Sequence, residues 1–418
     1  TPGLAFFYGG MVRAKSVLNM LMMSIVTMGI VGVLWIIVGY SMAFGDSQGR
    51  LIGDPLEFAF LNGLMSPDAV TAGVPDIVFA GFQSAFAIIA VALVSGAVAD
   101  RMKFSAWAAF AALWALLVYF PAAHAVFSFD TESGHQGGFV ANVIGAVDFA
   151  GGTAIHINAG VGALALALVL GKRVGFGRIP MRPHNLPLVM LGAGLLWFGW
   201  FGFNAGSALA ADTTAGVAWI NTLGATAAAM LAWLLVERLR DGHATSLGGA
   251  SGIVAGLVAI TPAAHSVSPA GGLLIGAIAG ALCAMAVGLK FRFGYDDSLD
   301  VVGVHLVGGL VGTLLIGLFA DPAAPAGESG LLYGGGVDLL GRQAAGAAVV
   351  LVYSFVVTFL IAKVLDKVMG LRVAPEVETM GIDTTEHAET GYDLSHVAYS
   401  SYGVKQTLIV PTREEADA

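Results

Sequence analysis

Two histidines stand where ionisable groups are costly. His156 lies in the apolar run 152–171 and His305 in the run 300–320. Each belongs to a matching string, Asp148-FAGGTAI-His156-INA-Gly160 and Asp297-SLDVVGV-His305-LVG-Gly309. In both, an Asp opens the helix, a His follows eight residues on, and a Gly sits four beyond the His. At the rise of an α-helix the His lies about 12 Å deeper than the Asp. An Asp at a helix start is an ordinary N-cap, whereas a His within a span faces the protein interior or a pathway. One such His serves as readily as a neutral partner across a helix interface as in a functional site; two at corresponding depths tilt the balance toward function. Imidazole is a common metal ligand, but with no cysteine or further carboxylate nearby the pair falls short of the usual three or four ligands. Asp148 and Asp297 sit too far along their helices to help, so no metal is expected. Imidazoles in apolar surroundings are expected to be neutral, each with one N–H donor and one acceptor nitrogen. Such a pair suits a narrow path for a small molecule that both donates and accepts, and it suits the passage of a proton.

The helices that must hold these groups are legible from composition. Only 11% of the 418 residues are charged and 57% are hydrophobic, against about 25% charged in a soluble domain. The chain therefore lacks the charge to clothe a water-facing surface, and an all-α integral membrane fold is expected. Apolar runs near 16–44, 77–99, 105–127, 152–171, 185–208, 215–236, 247–262, 271–290, 300–320 and 340–369 read as spans. The stretch from Thr1 to Tyr8 is apolar but too short to cross. Because the chain starts with Thr, a preceding segment is expected to complete a first helix, giving eleven. The 58 glycines point to close helix packing.

Basic residues test the topology. Arg13 and Lys15, Arg101 and Lys103, Lys172 to Arg182, Arg238 and Arg240, Lys290 and Arg292, and Lys363 to Arg372 fall in alternate connections, with Arg50 and Arg342 as exceptions. Basic loops stay cytoplasmic, which predicts an external N-terminus and an internal C-terminus. The two Asp–His helices then run in opposite directions, the sign of an inverted repeat with its site near the midplane. Residues 1–370 read as the membrane domain. Residues 371–418, rich in Glu, Asp, Thr and Ser, read as a cytoplasmic tail, partly ordered at best, either solvating or a regulatory docking element.

Other classes recede. No basic patch suggests nucleic acid, and the lone Cys283 excludes a disulfide framework. Ser207 with a His and an Asp has no nucleophile elbow around it, so no hydrolase, and no enzyme, is expected. No glycine-rich stretch has the context of a phosphate loop.

Several long strings resemble one family. They are FFYGG (6–10), FQSAF (82–86), DFAGGTAIHINAG (148–160), GKRVGFG (171–177), PHNLP (183–187), GWFGFNAGSA (199–208) and DDSLDVVGVHLVGG (296–309). Together they resemble the Amt/Rh ammonium transporters, the Amt branch more than the Rh branch, from Pro2 to about Tyr392. The resemblance implies a homotrimer in a bacterial cytoplasmic membrane, with a pore through each subunit that moves ammonium inward without a cofactor. It implies that His156 and His305 are the twin histidines of the pore. Phe86 and Phe203 match the phenyl rings that block its external mouth, with Phe82 beside them, and Trp200 matches a pore-lining tryptophan. Ser207, the aromatics and the essential acidic Asp148 match the external ammonium-recruitment site, with Asp148 read chiefly as a cap that organises it from behind.

The resemblance also implies a PII-type regulatory protein at the cytoplasmic mouth. One departure stands out: the family's external Trp is replaced here by Phe127, within Pro121-AAHAVF, followed by a longer loop in which Phe129 or Phe139 are alternative partners. Two other classes remain open at this point, a non-conducting ammonium sensor signalling through its tail and a channel for uncharged solutes.

Overall fold

A computed structural model describes residues 1–392 apart from 72 and 133. Among the described residues, nine helices are long and apolar enough to cross a membrane. In chain order, α1 (Pro2–Met11) is short and precedes the first of them, α2 (Ala14–Phe44). Then come α3 (Asp76–Val98), α4 (Phe104–Phe127), α5 (Gly152–Leu170), α6 (Leu186–Gly206) and α7 (Thr213–Asp241). The shorter α8 (Ser246–Ile260) leads to α9 (Pro269–Phe293), α10 (Val302–Phe319) and α11 (Asp338–Met369).

The apolar runs anticipated these bounds to within a few residues. The difference is α8, expected as a full span over 247–262. It is 15 residues long, and every residue from Gly248 to Ile260 is buried. It sits against α6, α7, α9 and α10, so it has a protein neighbour on every side and glycine and alanine where a lipid-facing helix would carry bulk.

Sidedness follows from what the loops share. A single cavity collects Phe127 from the end of α4, Asp148 before α5, Ser207 after α6, His265 after α8, Glu328 after α10 and Arg342 at the start of α11. These connections therefore emerge at one end of the bundle, called here the mouth. The opposite end carries the basic loops. There Arg101, wholly buried, donates to the carbonyls of Gly171 and Asp296 and to Ser298. Burial lowers its pKa to about 10, which leaves it charged at neutral pH. Beside it Arg173 makes a two-pronged bond to Asp296, with a closest approach of 2.8 Å. The two arginines that broke the alternation are both matched at the mouth end, Arg50 by Asp130 at 3.0 Å and Arg342 by Glu328 at 2.8 Å.

Of the stretch read as a loosely ordered tail, residues 371–392 pack on the basic end. Asp383 accepts from the backbone N–H groups of Leu18 and Asn19, and Glu386 from that of Phe104. Glu378 accepts from Val174 N and pairs with Arg372, and His184 hydrogen-bonds Tyr392 at 2.7 Å. The tail thus spans three loops of the bundle. The remainder, 393–418, lies outside the described residues.

The helices that carry the histidines cross at glycines. A Cβ on Gly160 would stand 2.4 Å from Leu306 N, and one on Gly309 3.0 Å from Gly152 O. Backbone meets backbone there, so there is no side chain to yield. Gly160→Val is expected to push α5 off α10, at a cost of about 1–3 kcal/mol or more. A lowered unfolding temperature of the purified protein in detergent would register it; an unchanged one would mean that the crossing is not tight.

Candidate functional site: vestibule, gate and histidine pair

Both histidines sit on π-helical turns, Gly152–Ile157 and Val302–Leu306, that open α5 and α10. Such turns shift a side chain relative to the α-helical register and recur at functional sites. The first is built by Asp148. Its Oδ1 accepts from Gly151 N at 2.8 Å and Gly152 N at 2.7 Å, and its Oδ2 from Thr153 N at 2.8 Å, Ala154 N at 3.2 Å and the Thr153 hydroxyl. Gly151 takes a φ of 116°, open to glycine, and its carbonyl accepts from the His156 amide at 3.0 Å. Asp148 therefore sets where His156 stands without contacting its ring. At the second turn Asp297 Oδ2 accepts from Val302 N at 2.7 Å.

The two imidazoles meet. His156 Nδ1 and His305 Nδ1 are 3.3 Å apart, with ring centroids at 5.3 Å and planes 25° from parallel. Exactly one of two nitrogens joined this way carries the hydrogen, so a neutral pair holds opposite tautomers. One ring then turns an acceptor Nε2 outward and the other an Nε2–H donor. Both rings are buried, and His156 Nε2 meets no hydrogen-bond partner among the described residues.

Aromatic rings continue the line toward the mouth. Trp200 stacks 5.5 Å from His156, anchored by Nε1–H donating to Thr261 at 2.8 Å. Phe203 lies 4.9 Å from Trp200 and 4.4 Å from Phe86, and Phe86 lies 4.7 Å from Phe82. Phe86 lines the cavity at the mouth and Phe203 lies 6.3 Å from His156, so this ring pair stands between the cavity and the histidines.

On the mouth side of Phe86 lies the shared cavity, about 810 Å³. Phe82, Phe86, Phe127, Asp148 and Ser207 all line it. The Ser207 hydroxyl donates to Phe203 O at 2.8 Å. Its hydrogen is committed, so its lone pairs are free to accept from a ligand N–H. Phe127 and Phe129 both face the cavity, while Phe139 packs into the core instead. His265 also lines it, stacked 4.1 Å from Phe149; burial lowers its pKa to about 4, so it adds no positive charge at neutral pH.

Of the sequence candidates, Phe82, Phe86, Phe127, Asp148 and Ser207 line the cavity, and Phe203, Trp200, His156 and His305 continue from Phe86 as successive ring contacts. The sequence reading missed Asp76, Tyr40, Phe44, Phe58 and Phe79, which form a further wall of the vestibule. The available signal was the spacing Asp76, Phe79, Gln83, Phe86, which is one face of a helix. Among the described residues no group of His, Cys, Asp and Glu is disposed to hold a metal ion.

The chain is 61% identical over 416 residues to an ammonium transporter of Mycobacterium tuberculosis, an alignment covering 94% of this chain and 87% of that one. It is 49% identical to an ammonium transporter of Aquifex aeolicus, covering 94% and 89%. Among solved structures, a sensor Amt protein superposes with a TM-score of 0.82 at 32% identity, covering 92% of this chain and 94% of that one. Mep2 of Candida albicans gives the same score and identity over 90% and 83%. The Ammonium Transporter Family model matches residues 1–392. This helical membrane chain belongs to the ammonium transporter family, and is by that membership a transporter-family protein and not an enzyme.

Proposed function

We propose that this protein conducts ammonium nitrogen across the bacterial cytoplasmic membrane by drawing the ion into the vestibule, removing its proton at the gate and passing ammonia along the histidine pair. The observation that carries this reading is the single file from Ser207 through the Phe86–Phe203 gate to two hydrogen-bonded imidazoles. An ammonium ion in the vestibule gains cation–π attraction from Phe82 and Phe127 and donates to the Ser207 oxygen. Taking the bare ion further into an apolar passage costs many kcal/mol. Breaking one N–H bond leaves the electron pair on nitrogen, so neutral ammonia enters and the proton moves separately. The tautomer pair offers that proton a route: it binds the acceptor Nε2 of one ring, the shared Nδ1 hydrogen shifts to the other Nδ1, and the second Nε2–H departs. Nitrogen and charge then both cross.

The same proposal takes the basic end as cytoplasmic and counts α1 and α8 with the nine longer helices as eleven elements. Packing of α1 against α6 and of α5 against α10 supports inverted five-helix halves. A homotrimer is part of the proposal, as is a PII-type partner on the basic end, where Lys172, Arg178, Arg182 and Arg292 meet no carboxylate among the described residues. The competing reading is a non-conducting sensor, favoured by the likeness to a sensor Amt protein and by the docked tail.

Reconstitution into proteoliposomes separates the readings. Saturable, ammonium-evoked current is expected. Flux without current would leave an ammonia channel, and neither flux nor current would leave the sensor. In the same assay Phe127→Trp is expected to lower the half-saturating ammonium concentration about two- to fivefold, since Trp is the stronger cation–π partner. No change would remove Phe127 from the binding site.

A further inference from the structure

We propose a second, outer cation site in the vestibule, built from Asp76 and an aromatic wall of Tyr40, Phe44, Phe58 and Phe79, that takes ammonium or a small alkylammonium ion before it reaches Ser207. The inference rests on the transport reading for its role but not for the existence of the site. Its first support is the carboxylate. Asp76 Oδ1 has essentially no exposed surface and no hydrogen-bond partner among the described residues. The arginines near the mouth are already matched, Arg50 with Asp130 and Arg342 with Glu328 and Asp338, and His135 is held by Asp46 at 2.8 Å, so none of these serves Asp76. A shielded carboxylate oxygen without a donor is costly, and a cation bearing N–H groups removes that cost.

The second support is the wall itself. The Tyr40 ring lies 5.4 Å from Phe44, 5.8 Å from Phe58 and 6.4 Å from Phe79, and Phe44 lies 5.0 Å from Phe79. All four rings and Asp76 line the same cavity as Phe82 and Ser207. Aromatic faces beside one carboxylate suit a polyatomic ammonium cation. They do not suit a hard metal cation, which asks for six or more oxygens.

The third support is continuity. Asp76, Phe79, Gln83 and Phe86 follow one another at three- or four-residue steps on α3, and all face the cavity. Ten residues of helix put Asp76 about 15 Å from Phe86. One helix face therefore leads from the outer carboxylate to the gate. An ion held at Asp76 lies at a distance where it is still partly hydrated, and the aromatic track ahead strips it stepwise instead of all at once.

Two measurements test this. In proteoliposomes, Asp76→Asn is expected to raise the half-saturating ammonium concentration about fivefold or more, with the maximal current within about twofold of the parent, and Asp76→Glu to restore it. A fall in maximal current at unchanged half-saturation would overturn the proposal in favour of a structural role. Independently of transport, crystals of the full chain soaked in thallium(I), a monovalent ammonium mimic, are expected to show an anomalous peak between Asp76 and Tyr40. Asp76→Asn should lose that peak and keep the one beside Ser207. No peak at Asp76 in the parent overturns the outer site even if transport is normal. A peak there in a protein that carries no current sustains the site and removes the transport reading instead.

Discussion

Replacing Asp148 with Ala is expected to abolish ammonium-evoked current and to lower stability by on the order of 3 kcal/mol. The effect is large because one carboxylate serves four backbone N–H groups and a hydroxyl, from Gly151 to Ala154. All lie in buried surroundings, with Asp148 itself 8% exposed, so water does not readily replace the lost acceptor. The turn they form holds Gly151 at a φ of 116°, and the Gly151 carbonyl fixes the His156 amide. Relaxing the turn moves the first imidazole away from its partner. It also disturbs Phe149, whose amide donates to Pro262 O at 3.1 Å and whose ring stacks on His265 in the vestibule wall.

Asp148→Asn separates two routes to the same loss. Asn keeps one acceptor oxygen but turns an NH₂ group toward N–H donors, so as a cap it behaves nearly as badly as Ala. If the carboxylate acts by positioning, current and unfolding temperature fall together in both variants. Loss of current with an unchanged unfolding temperature in Asp148→Asn would mean that the negative charge acts on the ion directly, and the capping account would be wrong.

The legible part of this molecule is the part written in polarity. Apolar runs located the spans because lipid excludes charge over about 20 residues at a time. His156 and His305 stood out for the same reason, as ionisable groups in those runs. Arg50 and Arg342 looked like violations of the charge pattern; the structure shows Arg50 neutralised by Asp130, 80 residues on, and Arg342 by Glu328 and by Asp338 one helical turn away. Three features left no such trace. The π-helical turns under both histidines differ from α-helix by one residue of hydrogen-bond register, which composition does not encode. Tyr40 and Phe44 sit in an apolar segment, where an aromatic reads as packing until its neighbours are known. The choice of Phe129 over Phe139 as the second loop aromatic in the vestibule depended on how the loop after Phe127 folds back, through Asn142 donating to Ser128 O at 2.9 Å. Phe139 was equally plausible from its type alone.

The twin histidines carry the strongest consequence. With His156→Ala, ammonium-evoked current is expected to fall about a hundredfold, the scale of losing a positioned proton acceptor, and discrimination against potassium to fall with it. The reasoning starts from space. His156 fills the gap between Trp200 at 5.5 Å, Phe203 at 6.3 Å and His305 at 5.3 Å. Removing it leaves a void walled by aromatic rings, with a His305 Nδ1 that has lost its partner as a foothold for water. A continuous water file would let hydrated potassium follow, where a dry path admits only ammonia. His305→Ala removes the same hydrogen bond but leaves the rings next to the gate in place, so the selectivity loss should be smaller while the proton route is cut equally. Potassium and ammonium currents measured on both variants decide the matter. A His156→Ala protein with the parent's rate and selectivity would show that the pair is packing, and the proton would then need another path through the protein.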